Sequence, residues 1–457
     1  MLVERIETKG LSHFSYLVAS GGKAVVIDPR RDCSIYVERA RCQGLSITHI
    51  LETHRNEDIV SGSAILAELT GARVLHGPNA DSKIHYAETV REGHEIDVGN
   101  FRLEVVETPG HTRDHLCFAL YDKEAGDGAI GVFTGDALFV GDTGRTDFYE
   151  GREDGMAAEL YGSLQKLIAL GDQAIIYPAH GSGSVCGSEI SSRAFSTVGH
   201  ERRNNPWLQH KEVDDFVSAK RVEHHYKPPY FTWMEHLNSK GAPAASRITM
   251  PRALSVEELC RTGEEGGVII DVREPLAALG GHFPGSLCLP SDLLSAFAGW
   301  YLDHATNVAL VAADREMLER ANRQLLRIGY DNVAGGFVGI VPASADGQAL
   351  HSIGIVQTRA VQERVANRRQ NWILLDVRSR DEFENGHIAG ATHTYAGELR
   401  DRWPKLDPGA AYTVMCGSGM RAAAAASWLT QQGLRNVDVY LGSIGAWRAM
   451  GLPTTKE

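Results

Sequence analysis

The chain runs to 457 residues, with 46 Lys and Arg against 58 Asp and Glu and a formal net charge of −12. One core does not hold that length, so about three domains of roughly 150 residues are expected, and the acidic balance argues against general binding to nucleic acid or anionic membranes. No apolar run approaches the ~20 residues of a membrane span. The seven cysteines are scattered, odd in number and without a CxxC pair, which fits a reducing compartment. The first residues, Met1-Leu2-Val3-Glu4-Arg5, hold no apolar signal core, so a cytoplasmic protein is expected.

In chain order, Phe14 to Ser20 and Lys23 to Asp28 read as short strands joined by Gly21-Gly22. A helix follows from Ser34 to Cys42, closed by Gly44. The apolar run Ile47 to Leu51 reads as a buried strand leading into Thr53-His54-Arg55-Asn56-Glu57-Asp58-Ile59, and a helical pattern follows from Ala64 to Leu69. Two later strand ends repeat the device. Phe101 to Val106 runs into Thr108-Pro109-Gly110-His111-Thr112, and Gly131 to Phe133 runs into Thr134-Gly135-Asp136. Loops at strand ends let side chains converge, so His54, His111 and Asp136 form a candidate set of two histidines and one carboxylate. With open positions left on the metal, such a set suits non-haem Fe(II) doing oxygen chemistry. A fourth strand end, Ala174-Ile175-Ile176-Tyr177-Pro178-Ala179-His180-Gly181, adds another histidine. Strands with helices between them and candidate ligands along one rim imply a layered α/β sandwich. Lys227-Pro228-Pro229-Tyr230 and Ser239-Lys240-Gly241-Ala242-Pro243 read as an exit segment and linker.

Two similar units follow. Val268-Ile269-Ile270-Asp271-Val272-Arg273 then Gly281-His282-Phe283-Pro284-Gly285-Ser286 is matched by Ile373-Leu374-Leu375-Asp376-Val377-Arg378 then Gly386-His387-Ile388-Ala389-Gly390-Ala391. Strand, Asp-Val-Arg, helix and Gly-His-x-x-Gly-small recur, which marks an internal duplication of one α/β unit with a parallel sheet. In the second unit the buried strand Tyr412 to Met415 ends in Cys416-Gly417-Ser418-Gly419-Met420-Arg421, before the Ala-rich helix from Ala422 to Leu429. A cysteine at a strand-to-helix turn sits where backbone N–H groups and the helix dipole favour an anion, holding a thiolate or persulfide ready for exchange. The glycines permit the curl, and Arg421 braces it or attracts an anionic sulfur donor. The first unit reads Ala312-Ala313-Asp314-Arg315 at this place, with an acid instead of a thiol, and is expected to be a spacer or docking domain. Cys33, Cys42, Cys117, Cys260 and Cys288 read as packing residues.

The DVR, GHIAGA and CGSGMR stretches of the second unit resemble rhodanese sulfurtransferases, whose active loop has the form CxxGxR. The first unit resembles the same fold without its nucleophile. The N-terminal half resembles the metallo-β-lactamase superfamily through Thr53-His54, Gly110-His111-Thr112, Thr134-Gly135-Asp136 and Pro178-Ala179-His180-Gly181. Within it, Gly144-Arg145-Thr146-Asp147-Phe148 looks like the persulfide dioxygenase branch rather than the glyoxalase II branch. The architecture as a whole is similar to persulfide dioxygenase–rhodanese fusions. That likeness implies an N-terminal αββα metallo-β-lactamase sandwich (1–245), then two rhodanese-like α/β domains with parallel sheets, the first inactive (250–345) and the second catalytic (355–457). It implies one Fe(II) per chain on His54, His111 and Asp136, and oxidation of a low-molecular-weight persulfide by O₂ to sulfite. It also implies a Cys416 persulfide that forms or uses thiosulfate. The long segment between domains would allow a homo-oligomer.

One departure matters. The superfamily motif is HxHxDH, and here Asn56 and Ile59 replace two of its histidines. A dinuclear zinc site would be starved of donors, whereas the mononuclear set survives. Asp58 and His180 then become candidates for orienting ligands or bound water, His180 being equally readable as a hydrogen-bonded structural histidine. Arg145 either holds the anionic part of the substrate or pairs with Asp147, the second being favoured. Cys186, in a glycine-flanked loop beyond His180, is either an exposed thiol relaying sulfur or a small residue in a tight turn. Two other functions are kept open: a zinc-dependent thioester hydrolase of glyoxalase II type with a sulfurtransferase tail, and a non-enzymatic sulfur carrier.

Overall fold

A computed structural model describes residues 2–187, 189–243, 250–345, 347–367 and 370–456. Its contacts divide the chain into two compact units, one of Met1–Lys227 with Phe231–Ile248 and Arg327–Gly329, the other of Pro228–Tyr230, Thr249–Leu326 and Tyr330–Glu457. The domain boundary expected at residue 245 lies outside the described residues.

The first unit holds two six-stranded sheets. One runs in sequence order through β1 (Leu2–Thr8), β2 (His13–Ser20), β3 (Lys23–Ile27), β4 (Ser46–Leu51), β5 (Arg73–His76) and β6 (Glu88–Thr89). The other contains β7 (Glu95–Val98), β8 (Phe101–Glu107), β9 (Leu116–Asp122), β10 (Gly131–Gly135), β11 (Ile175–Pro178) and β12 (Ser196–Thr197), again as sequence neighbours. Because side chains alternate along a strand, each sheet offers two apolar faces. Val25, Ile27 and Leu51 of the first sheet meet Leu103, Val105, Phe118 and Phe133 of the second in one core. The second sheet's other face, with Val106, Ala119, Val132 and Ile176, packs on Leu160, Leu164 and Leu167 of the helix Glu153–Ala169. Two central facing sheets with helices outside form the αββα sandwich. Loops following β4, β8, β10 and β11 carry His54, His111, Asp136 and His180 respectively.

The second unit holds two parallel sheets. The first repeat contributes β13 (Val268–Asp271), β14 (Leu287–Cys288), β15 (Val308–Ala312) and β16 (Val333–Val338), in the order β14-β13-β15-β16. The second contributes β17 (Gly354–Val356), β18 (Trp372–Asp376), β19 (Thr392–His393), β20 (Ala411–Met415) and β21 (Val437–Tyr440), in the order β17-β21-β20-β18-β19. Reading outward from β14 and β19 the two orders coincide. Even β17 has a counterpart, since Ala253 bridges in parallel to Gly336 of β16. The duplicated motifs are staples of this scaffold. Arg273 clamps Asp271 and the Gly281 carbonyl, and Arg378 clamps Asp376 and the Gly386 carbonyl.

Three expectations need correction. The segment read as a linker from Ser239 begins inside a helix, Phe231–Lys240, whose Phe231, Met234 and Leu237 are buried. Cys42 is exposed and Cys260 half-exposed, so neither is a core residue. Cys42 is the last residue of its helix, and Cys260 lies off the face on which its helix buries Leu259 and Thr262.

Candidate functional sites

The residue before His54 decides how its ring is presented. Thr53 donates both its backbone N–H and its hydroxyl to Asp28, each at 2.8 Å. The hydroxyl oxygen is left to accept from His54 Nδ1–H at 2.9 Å. His111 is fixed similarly, its Nδ1 lying 2.9 Å from the Arg145 carbonyl, which can only accept. In both rings the lone pair therefore resides on Nε2. These two nitrogens stand 3.9 and 3.4 Å from Asp136 Oδ2. One donor atom from each of the three residues lies within 4.8 Å of the others. All three side chains are buried, and His111 Nε2 has no hydrogen-bond partner. Burial holds His54 well below the ordinary imidazole range and lowers His111 as well, so both rings are neutral. Burial opposes charge on Asp136 too, but His180, His54 and His111 outweigh it and hold the carboxyl well below its usual range. Two neutral imidazoles and a carboxylate, aimed at one buried point with an orphaned nitrogen among them, fit a divalent metal.

The Gly144–Phe148 stretch builds the wall of this site. A side chain at Gly144 would put its Cβ 2.0 Å from the Asp136 carbonyl oxygen, so only glycine seats there. The carbonyl of Arg145 orients His111. Its guanidinium fork spans Asp147 at 2.6 and 2.7 Å and reaches the Val185 and Tyr226 carbonyls. At 1% exposure, Arg145 is a brace and is not open to a substrate carboxylate. Phe148 meets the His111 ring edge-on at 5.1 Å.

His180 is tied between acids. Its Nδ1 lies 2.7 Å from Asp136 Oδ1 and its Nε2 3.1 Å from Asp58 Oδ2. Burial would neutralise it, but Asp136 and Asp58 outweigh that and hold it well above the ordinary value. Cys186 approaches Asp58 and His180. Of the two readings of this residue the structure favours the small residue in a turn: its thiol is 2% exposed, packed with Phe139 and Ile190, and burial pushes it up to about 12. A flanking glycine frees the backbone but does not make a loop leave an apolar wall.

Two contributors escaped the sequence. Asp28 looks only like the end of a strand, yet it sets the His54 tautomer through Thr53. Asn238 donates to the carbonyls of Asn56 and Ile59 at 2.7 and 2.8 Å and accepts from Ser61 N–H at 2.8 Å, pinning the loop that bears Asp58. Its one signal is a polar residue on the buried face of an amphipathic helix.

In the second unit, Cys416 follows β20. Gly419 N–H points at Cys416 Sγ at 3.1 Å, and Cys416 N–H donates to Ser443 Oγ at 3.0 Å. Gly419 has φ +93°, and a Cβ there would lie 2.4 Å from the Leu441 carbonyl oxygen. Gly417 and Ser418 form the exposed side of the curl, and Met420 opens the helix Met420–Gln431. Ala422 to Ala426 are fully buried and let that helix sit close to the sheet. Arg421 grips Glu382 at 2.6 and 2.7 Å, so it braces the loop. Burial opposes charge on Glu382, but Arg421 prevails and holds it down to about 2. In the first repeat Ala312 stands where Cys416 stands in the second, and Asp314 Oδ1 caps the following helix by accepting from Met317 N–H at 2.8 Å.

These features agree with what the chain is similar to. Residues 8–180 match the metallo-beta-lactamase superfamily and residues 360–450 the rhodanese-like domain. The chain belongs to the metallo-beta-lactamase superfamily and carries a C-terminal rhodanese-like domain. Its N-terminal part is 33% identical over 232 residues to the mitochondrial persulfide dioxygenase ETHE1 of Bos taurus, covering 48% of this chain and 80% of that protein. It is also 33% identical over 171 residues to a hydroxyacylglutathione hydrolase of Tolumonas auensis, covering 37% of this chain. The chain spans 61% of that relative's length. Among solved structures, a metallo-beta-lactamase from Staphylococcus aureus subsp. aureus COL superposes with a TM-score of 0.66 at 30% identity, covering 74% of this chain and 98% of its own. Among the described residues no helix is long and apolar enough to cross a membrane.

Proposed function

We propose that this protein is a persulfide dioxygenase coupled to a sulfurtransferase, with the three segments 1–245, 250–345 and 355–457 as oxidising, supporting and sulfur-carrying domains. The observation that carries the reading is the presentation of two tautomer-fixed Nε2 lone pairs and Asp136 to one buried point. His54, His111 and Asp136 would hold one Fe(II), which when bound supplies the redox chemistry that lets O₂ react with a sulfane sulfur. The overall balance is RSSH + O₂ + H₂O → RSH + SO₃²⁻ + 2H⁺. The protein's own part is to keep both imidazoles unprotonated, to keep Asp136 ionised through His180, and to close the site with Phe148 against His111.

Cys416 would attack the outer sulfur of a second persulfide, whose S–S bond breaks to release RSH (RSSH + Cys416-S⁻ → RSH + Cys416-S–S⁻), and the charge on Cys416 is received by the Gly419 N–H. Sulfite attacks that outer sulfur, the S–S bond breaks, and thiosulfate leaves with the Cys416 thiolate restored. The reverse flow uses the same atoms. Similarity to the persulfide dioxygenase supports this reading, and so does the loss of two motif histidines to Asn56 and Ile59. Similarity to the hydroxyacylglutathione hydrolase favours a second one, thioester hydrolysis at a zinc site. Oxygen uptake and sulfite release with glutathione persulfide and coenzyme A persulfide separate them. Uptake matched by the sum of sulfite and thiosulfate is the expected result. Hydrolysis of a glutathione thioester without uptake would reverse the choice.

A further inference from the structure

A fourth histidine is engaged at both nitrogens close to the ligand loops. His76 ends β5 and is 2% exposed. Its Nδ1 lies 2.8 Å from Glu52 Oε2 and its Nε2 2.7 Å from Asp114 Oδ2. Carboxylates accept and do not donate, so both ring nitrogens carry hydrogen and the ring is a cation. Burial works against that charge, but the hydrogen bonds and attraction of Asp114 and Glu52 outweigh it and push His76 up to about 10.

The position of the two acids gives the contact its meaning. Glu52 stands two residues before His54, and Asp114 three residues after His111. One buried cation therefore joins the two loops that present the imidazole donors. Each acid anchors more of its loop. Glu52 Oε1 accepts from Ser61 Oγ at 2.5 Å and from Tyr86 OH at 3.0 Å, and Asp114 Oδ2 accepts from Arg55 N–H at 3.1 Å. The backbone beside His76 is fitted to the same loop, because a Cβ on Gly77 would fall 1.9 Å from the Asp114 carbonyl oxygen. A hydrophobic filler would join nothing here, and a neutral ring could donate to only one acid.

We propose that His76 is a positioning residue of the metal centre, its imidazolium setting the separation of the His54 and His111 loops and thereby the affinity and geometry with which the three-residue set holds a divalent cation. The proposal rests on the ligand assignment above, and on neither the identity of the metal nor the reaction.

The test is a Co(II) titration of metal-free full-length protein, read by its visible absorption and by competition with a chelator. His76→Gln, which keeps hydrogen bonding but loses the charge, is expected to weaken Co(II) binding about 10- to 100-fold, the range found when groups that orient metal ligands are removed, and to shift the Co(II) bands. Near-UV circular dichroism and the thermal unfolding of the first unit, equal to wild type in the same sample, report that the unit bearing His76 is folded. Affinity and spectrum equal to wild type would overturn the proposal. Should His76→Gln fail to fold, Asp114→Asn decides by the same two readouts, a smaller loss with shifted bands supporting the clamp and wild-type behaviour refuting it. His54→Ala separates the two ideas: if it binds Co(II) as wild type does, the ligand assignment falls and the clamp with it, whereas a His54→Ala loss beside an unaltered His76→Gln overturns the clamp alone.

Discussion

The two candidate sites are assembled by opposite routes. The Cys416 cradle is built mainly within a run of six residues, with Gly419 N–H aimed at the sulfur three residues back and Ser443 and Glu382 bracing it from outside. The metal set takes one side chain from each of three strand ends, and each is oriented by a group from elsewhere: Asp28 through Thr53, the Arg145 carbonyl, and His180. A contiguous site survives whatever preserves its local curl. A dispersed one inherits every force that sets the spacing of its strand ends. Remote substitutions should therefore damage the metal centre far more often than the sulfur loop.

The largest effects come from removing each site's essential atom. Cys416→Ser is expected to lower sulfur transfer by at least about 10³-fold, as for loss of a nucleophile, while metal content and oxygen uptake stay at wild-type values. His54→Ala is expected to do the converse, abolishing uptake and bound metal while leaving Cys416 active with an inorganic donor. Parallel assays of the two variants check the division, and loss of both activities in either one breaks it.

Arg145→Ala probes dispersion directly. It leaves the half-buried Asp147 without its fork partner and loosens the carbonyl that orients His111. A cost of about 1–3 kcal/mol is expected from leaving a half-buried group without its partner, measured by denaturant unfolding, together with loss of metal.

At the sulfur loop, Glu382→Gln should cost no more than about tenfold in transfer rate, since the amide still accepts from Arg421 and the loop keeps its main-chain bonds. Its pH dependence has a definite sign. The folded value, about 2, lies below the ordinary 4.5. The carboxylate's contribution is therefore complete above about pH 4.5 and is lost as the pH falls toward 2. The stability gap between wild type and Glu382→Gln should be constant from pH 6 to 8 and shrink by pH 3.

The smallest effect belongs to the first repeat. Asp314→Ala removes a helix cap and is expected to cost about 1 kcal/mol, with neither chemistry changed. A measurable drop in sulfur transfer would show that this copy takes part in it.

The same contrast explains how far sequence reasoning reaches. Cys416 to Arg421 could be read as a unit because the residues that build the turn are the ones that perform the chemistry. The strand ends bearing His54, His111 and Asp136 were readable too, since apolar runs stop just before them. What could not be read was orientation. Nothing in the spacing says that Thr53 spends its hydroxyl on Asp28, that Asn238 ties down the loop of Asp58, or that His76 sits between Glu52 and Asp114, because each link joins residues brought together only by the sheet. Cys186 left two readings open for the converse reason: the glycines around it allow a free loop, and the apolar wall that buries it includes Phe139 from another segment. Arg145 and Asp147, two residues apart, kept their partnership within reach of a local reading.

The central claim is that this dispersed set holds a single redox-active ion. Metal analysis of protein purified without oxygen tests it most directly. One iron per chain, lost in His54→Ala, is the predicted result. Two zinc ions per chain, with the second on Asp58 and His180, would contradict it.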